Sequence, residues 1–234
     1  MPKIQAATNA EQREHTKHAI LESFGQLLYQ QGLTGLTMTH VARNAGIGRT
    51  AVYNYFADMG ELLIAFTMDE TDRFMRELHA ELALVENPVD KLGVYVRAQL
   101  DDLSRRHIPP GPAMRTVLSP EDFQKLGAHV GSLRLVLIDI LREAVADGWL
   151  PDGDLPEMGR LVHGSLASTA DREANSEEDR AAHERHVRAT VTFILRGLGA
   201  RFDDEGSPVR LSEPAPALSP VSYTHLTLPT TPYV

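Results

Sequence analysis

Apolar residues recur at three- and four-residue spacing along almost the whole chain, a period that specifies helices and leaves little room for strands. Ile20, Leu21, Phe24, Leu27 and Leu28 mark a first helix over about residues 12–31, closed by Gly32. Thr37 precedes Val41 and Ala42 as an N-cap and Gly46 ends that short segment; a second one runs from Arg49 to Tyr55. From Met59, the spacing of Leu62, Leu63, Phe66, Phe74, Leu78 and Leu82 predicts a helix to about Val85. Asn87-Pro88 stops it, because the residue before proline avoids the helical region. Leu92, Tyr95, Val96, Leu100 and Leu103 mark the next, which ends at His107 before a proline cluster. After a short piece at Met114–Leu118, Ser119-Pro120-Glu121-Asp122 combines an N-cap, a proline at the first helical position and early acids. The helix it opens keeps Phe123, Leu126, Val130, Leu133, Leu137, Leu141 and Val145 on one face until Asp147-Gly148. Residues 154–169 and 176–198 form the last two. The expectation is an all-α protein of about nine helices without a convincing strand.

Composition narrows the function. None of the 234 residues is cysteine, which excludes disulfides, thiolate zinc sites, iron–sulfur clusters and a cysteine nucleophile and fits a reducing compartment. No apolar run approaches the roughly 18 residues of a membrane span, and Met1–Ala10 lacks a signal-peptide core, so a cytoplasmic location is expected. The formal charge of −9 argues against nucleic acid until its distribution is counted. Residues 1–60 carry five basic against four acidic side chains, a net +1, and the remainder carries −10. DNA contact through the head alone is compatible with that division, since phosphate attraction is screened within about 10 Å at 0.1 M salt.

The most informative stretch is Thr37–Leu62, TMTHVARNAGIGRTAVYNYFADMGEL. A short helix, a glycine-containing turn and a second short helix form a helix-turn-helix, whose second helix enters the major groove. Val41, Ala42, Ala45, Ile47, Val52 and Phe56 supply the apolar seam, and Gly46 permits the turn. Arg49, Thr50, Tyr53, Asn54 and Tyr55 supply groups for phosphates and base edges: arginine toward guanine, asparagine toward adenine.

These residues resemble the head of the TetR-type (tetracycline-repressor-like) transcriptional regulators, approximately T-x-x-x-I-A-x-x-A-G-V-S-x-x-x-x-Y-x-Y-F-x-x-K-x-x-L. Thr37, Val41, Ala42, Ala45, Gly46, Ile47, Tyr53, Tyr55, Phe56 and Leu62 match it in register without a gap. The resemblance implies a three-helix DNA-binding head over residues 12–58 and a ligand-binding and dimerisation domain of about six helices over residues 59–200. In it, Thr37 and Thr39 open the bracing helix, and Arg49, Thr50, Ala51, Tyr53, Asn54 and Tyr55 fall on the DNA-reading helix. Two positions depart from the pattern. The serine at the turn is Gly48, which removes a side-chain cap and phosphate donor, and the lysine after the aromatic pair is Met59, which leaves only backbone N–H groups for a phosphate there.

The resemblance further implies an effector pocket among the central helices, for which Phe66, Tyr95, Met114, Phe123, Leu133, Trp149 and His163 are candidates. It also implies a homodimer through the last two helices, with a stripe of Met158, Val162, Leu166, Val187, Val191, Ile194 and Leu198. The expected partners are operator DNA, a second copy and a small-molecule effector, with no cofactor, metal or membrane, and the expected action is repression relieved by the effector. An enzymatic or metal-binding helical bundle is the alternative, together with a regulator whose head acts by protein contacts. Enzymatic chemistry has no visible carrier: His183-Glu184-Arg185-His186 spaces its histidines by three where a helical zinc motif needs four. Residues 201–234 hold six of the fourteen prolines and read as a disordered tail. Val221–Thr230 resembles a translated sequencing-library adapter, so the end of the chain is read as an artefact.

Overall fold

The computed structural model describes residues 2–105, 111–167 and 177–211. Ten helices and a two-stranded hairpin make up those residues. The first five helices are α1 (Pro2–Gln31), α2 (Met38–Asn44), α3 (Arg49–Tyr53), α4 (Met59–Leu82) and α5 (Pro88–Arg105). They are followed by α6 (Gly111–Met114), α7 (Pro120–Val130), α8 (Ser132–Ala146), α9 (Leu155–Ala167), α10 (Glu177–Gly197), β1 (Arg201–Phe202) and β2 (Pro208–Val209).

Most boundaries fall where local chemistry puts them. The Ser119 hydroxyl accepts from the Asp122 N–H at 3.1 Å with Pro120 in the first turn, and Asp58 accepts from the Glu61 N–H at 2.9 Å. Asn87 acts as a start signal as well as a stop, since its Oδ1 accepts from Val89 N–H at 2.8 Å and opens α5. The short piece expected at Met114–Leu118 lies instead at Gly111–Met114, and three further boundaries differ from the sequence expectation. The first helix begins at Pro2 rather than near residue 12, because residues 2–11 have good helix propensity without a repeated apolar stripe for periodicity to detect. The helix expected from Pro120 to Val145 is two, broken at Gly131, where glycines at 127 and 131 stand one turn apart. A Cβ at Gly131 would lie 3.2 Å from the carbonyl oxygens of Gly127 and Ala128.

The third difference is at the C-terminal end. Residues 201–211 are not the start of a disordered tail: β1 and β2 pair antiparallel, Arg201 opposite Val209, around a turn in which Asp203 Oδ1 accepts from Glu205 and Ser207 N–H. Sequence periodicity cannot detect strands of two residues. Phe202 packs on the body, Arg210 lies 5.2 Å over the Trp149 ring, and Leu211 N–H reaches the Gly148 carbonyl at 2.8 Å. The expectations for residues 212–234 lie outside the described residues.

Two hydrophobic cores result. The head core joins Ile20, Phe24 and Leu28 of α1, Val41 and Ala42 of α2, and Val52 and Phe56 to Leu62 and Leu63 of α4, with Met114, Leu118 and Leu126 from the α6–α7 region. The body core is built on α5, whose Leu92, Tyr95, Val96 and Leu100 meet Phe74 and Leu78 of α4, Leu137 and Leu141 of α8, Val162 and Leu166 of α9, and Val187 and Ile194 of α10. The packing boundary therefore runs through α4 and through the Gly131 break, not at residue 58.

Ending the chain after Ala200 removes Phe202 and Arg210 from the body. Relative to a chain ended after Leu211, the thermal midpoint should fall by about 2–4 °C for each kcal/mol lost. Equal midpoints in a thermal scan would show that the hairpin adds nothing.

Candidate nucleic-acid interface

The geometry of the two short helices is set by their caps. Thr37 accepts from the His40 N–H at 3.3 Å. At the other end of α2, Gly46 takes φ +68°, its N–H meets the Arg43 carbonyl at 3.2 Å, and the Ile47 N–H meets the Ala42 carbonyl at 3.0 Å. That pair of bonds is a Schellman closure, and its left-handed residue favours glycine. It turns the chain directly into α3, with Gly48 in extended conformation as an N-cap that offers only backbone. Val41, Ala42, Val52 and Phe56 are buried between the helices, and the Ser23 hydroxyl donates to the Val41 carbonyl at 3.1 Å, fixing α2 on α1.

With Val52 and Phe56 turned inward, Arg49, Thr50, Tyr53 and Asn54 are exposed on the opposite side, Tyr53 at 42 %. The Arg49 guanidinium lies 5.8 Å over the Tyr53 ring. Thr37 is exposed, Thr39 and Ala51 are half-buried, and both threonines belong to the start of α2. Asn54 and Tyr55 lie just past α3 rather than on it: Asn54 is the C-cap, and the turn continues until the Phe56 N–H meets the Val52 carbonyl at 3.0 Å. Tyr55 is half-buried and packs on the head core. Sequence reasoning missed Arg13 of α1, whose guanidinium lies 5.0 Å over the Tyr55 ring and reaches the Asn54 carbonyl at 3.5 Å. No local signal connects residues 41 positions apart.

The helix start at Met59 is not an anion site. Asp58 caps the Glu61 N–H and the Glu61 carboxylate takes the Ala57 N–H, so two carboxylates stand where a phosphate would sit. Met59 is packed against the head core, which gives its apolar side chain a structural role that lysine would not fill.

The seven pocket candidates divide among separate places. Phe66, Met114 and Phe123 pack with the head core; Phe66 stacks edge-on against Phe24 at 5.4 Å, and Arg115 covers Phe123 at 4.1 Å. Trp149 is beneath Arg210. Only Tyr95, Leu133 and His163 come together, where the Tyr95 hydroxyl lies 3.1 Å from the Leu133 carbonyl and 2.9 Å from His163 Nε2. Burial pushes the Tyr95 phenol up from its ordinary range. It also pulls the His163 imidazole down, outweighing the Gly159 carbonyl that accepts from Nδ1 at 3.0 Å, while nearby Arg134 lowers it further. A separate cleft of about 760 Å³ opens between α1, α4 and α5, lined by carboxylates such as Glu22, Asp69 and Glu77, by Arg73 and Arg97, and by apolar side chains including Phe66.

The expected pairing stripe is also redistributed. Val162, Leu166, Val187 and Ile194 are buried in the protomer's own core, and Met158, Val191 and Leu198 pack partly buried against it, so this face is turned inward. The outer faces of the same helices carry Leu161, 56 % exposed, and Phe193, 70 % exposed. Phe193 has a sequence signal in retrospect, because one member of the triplet Phe193-Ile194-Leu195 must face away from the core. His183 Nε2 lies 2.9 Å from Asp101 Oδ1. Among the described residues, no group of three or more His, Asp or Glu is arranged to hold a metal, and no helix is long and apolar enough to cross a membrane.

Residues 20–66 match the model of the bacterial regulatory proteins of the tetR family. An uncharacterized HTH-type transcriptional regulator of Haemophilus influenzae is 36% identical over 74 residues, 31% of this chain. The chain spans only 36% of that relative's length. The fold is similar to that of the transcriptional regulator FadR from Bacillus subtilis in complex with stearoyl-CoA (TM-score 0.64, 16% identity, 77% of this chain and 98% of that one). It is also similar to AibR in complex with isovaleryl coenzyme A and operator DNA (TM-score 0.59, 17% identity, 74% and 97%).

Gly46→Ser forces a side chain into the left-handed region and should cost about 1–2 kcal/mol of stability. Gly48→Ser meets open space and adds a cap, so it should be neutral or stabilising by a few tenths of a kcal/mol. Equal losses in denaturant titrations would contradict this account of the turn. Because the folded-state pKa of His163 is depressed, its protonation favours the unfolded chain. Stability should therefore decline as pH falls below about 6.5, and His163→Gln should flatten that slope.

Proposed function

We propose, from the match of residues 20–66 to the model of the tetR family of bacterial regulatory proteins, that this chain is a ligand-responsive transcriptional regulator, a repressor that leaves its operator when a small molecule binds its body. The observation that carries the proposal is the division of α3: Val52 is locked into the head core while Arg49, Thr50 and Tyr53 are exposed together beside Asn54. An α3 held in this way can enter a major groove and read base edges. Arg49 and Asn54 are the base readers in this account. Thr37, Thr39, Thr50, Tyr53 and Tyr55 contact the backbone, Ala51 permits close approach, and Arg13 adds a phosphate contact.

A single head with a net +1 makes few contacts, so the regulator acts as a homodimer reading two half-sites about 34–36 Å apart. Leu161 on α9 and Phe193 on α10 carry the pairing surface, because large exposed apolar side chains on these helices favour burial against a second copy. The effector acts on the body, around Tyr95 and His163. Support comes from the fold neighbours solved with acyl-CoA molecules, one of them with operator DNA as well. Coupling follows from packing, since α7 contributes Leu126 to the head core while α8, one residue beyond it, belongs to the body core. A two-state arrangement of these elements gives the effector differential affinity for one of them.

Arg49→Ala should weaken binding to DNA from the regulator's own promoter by about 1–3 kcal/mol while leaving unrelated DNA little affected. Equal loss on both in mobility shifts would reduce Arg49 to a phosphate contact. Phe193→Glu should give a folded monomer by light scattering that no longer shifts promoter DNA. Ile194→Glu, which buries a charge in the protomer core, should instead unfold the chain. A Phe193→Glu dimer would place the pairing surface elsewhere.

A further inference from the structure

The two sides of α10 differ in character. Val187, Ile194 and Leu195 are buried in the body, whereas Arg185, Arg188, Ala189, Thr192, Phe193 and Arg196 are exposed together along one shallow groove. The groove is basic although residues 61–234 carry a net −10. Among the described residues, none of its three guanidinium groups has an ion-pair partner, and the carboxylates of Glu184 and Glu157 are engaged by Arg97 and Arg160. Arginine and aromatic side chains are the types in which the centres of protein interfaces are enriched.

The exposed residues are also spaced symmetrically. Residues 185 and 196, 188 and 193, and 189 and 192 form three pairs with one common midpoint, between 190 and 191. A two-fold contact sets a patch against itself. An antiparallel crossing of α10 on its copy at that midpoint therefore sets Ala189 against the second copy's Thr192. Both side chains are small, and the Thr192 hydroxyl already donates to the Arg188 carbonyl at 2.9 Å, so the helices can approach closely there. On either side Arg188 meets the second copy's Phe193, a cation against an aromatic ring. At both ends Arg185 meets the second copy's Arg196, so the symmetry that matches the centre brings like charges together at the rim.

We propose that two copies pair through antiparallel α10 helices crossing between residues 190 and 191, and that each end of the crossing, where Arg185 faces the second copy's Arg196, binds a free inorganic dianion of the sulfate or phosphate class. Neither site exists in one protomer. Guanidinium groups donate paired N–H bonds to such an oxyanion, and a dianion between two cations replaces a repulsion by two attractions. This rests on the pairing surface assigned above and adds its regulation: oxyanion supply tightens the dimer on which two-headed DNA binding depends.

The test uses the full chain and reads its monomer–dimer equilibrium by analytical ultracentrifugation. Sodium sulfate should lower the dimer dissociation constant at least about tenfold relative to sodium chloride of equal ionic strength, from two charge-assisted contacts that are partly solvated. Sulfate also strengthens apolar burial in general, so the double variant Arg185→Gln/Arg196→Gln is the reference. It should lose the specific response, and in chloride it should pair about fivefold more tightly than the wild type, because two exposed like-charge contacts are gone. Arg188→Gln should weaken pairing about fivefold in either salt, through two lost cation–π contacts. Equal dissociation constants of the wild type in the two salts overturn the proposal, as do an undiminished sulfate response in the double variant, weaker pairing of that variant in chloride, and an Arg188→Gln protein that pairs as tightly as the wild type. The pairing surface is tested separately: a dimer that persists in Phe193→Glu refutes the surface itself, whereas a dimer that Phe193→Glu abolishes but sulfate does not tighten refutes only the oxyanion sites. A wild type that stays monomeric in both salts refutes both.

Discussion

The packing of α6 and α7 back onto the first turns of α4 is the constraint on which the rest of the molecule depends. Three helices of a head this small bury little surface, and a chain segment below about 60 residues is marginal as an independent unit. Here Leu62 and Leu63 of α4 close the head core from one side, and Met114, Leu118 and Leu126 extend it. At Gly60 the fit is close: a Cβ there would stand 3.4 Å from the Val117 carbonyl oxygen and 3.7 Å from the Leu118 side chain. The head cannot tilt as a free body, because moving it disturbs side chains that belong to the other half of the chain.

The same arrangement makes α4 and the α7–α8 pair the only described elements that contribute to both cores. Packed cores are bistable rather than continuously deformable, so in the proposed regulator a change in the body around α5 and α8 would be transmitted as a shift of whole helices. Gly131 is where such a shift can be absorbed, since it already interrupts the helical ladder between the two halves. Polar groups at the body end of this route are few, and Tyr95 bonds toward Leu133, two residues beyond the break. Electrostatics separates the halves in another sense: residues 1–60 carry a net +1 and the remainder −10, with Arg49 of α3 over the Tyr53 ring and Arg13 of α1 over the Tyr55 ring.

What could be read from the sequence follows the range of the forces involved. The helix-turn-helix was legible because its determinants are local: the Thr37 cap, the left-handed Gly46, and Val52 and Phe56 facing a seam of Val41 and Ala42. Helix type was legible for the same reason, and Ser119-Pro120 announced its boundary to the residue. The break at Gly131 was not, because a continuous apolar stripe crosses it and only packing into two different cores separates its ends. Amphipathic periodicity says that α9 and α10 have an apolar face but not whether that face turns inward, so it cannot separate Val187 and Ile194, which are buried in the protomer, from the exposed Phe193. Arg13 lay beyond reach for a related reason. It gains its significance from Tyr55 and Asn54, which stand near it in space and far from it in the sequence.

Sequence-specific recognition of DNA by the exposed side of α3 is the claim from which pairing, effector control and coupling all follow. It is measured most directly by titrating fluorescently labelled duplex from upstream of this gene, and an unrelated duplex of equal length, with the intact protein at physiological salt and following anisotropy. The account predicts that the upstream duplex binds at least about a thousandfold more tightly, the lower bound for specific recognition. Equal affinity for the two, or none for either, would contradict it.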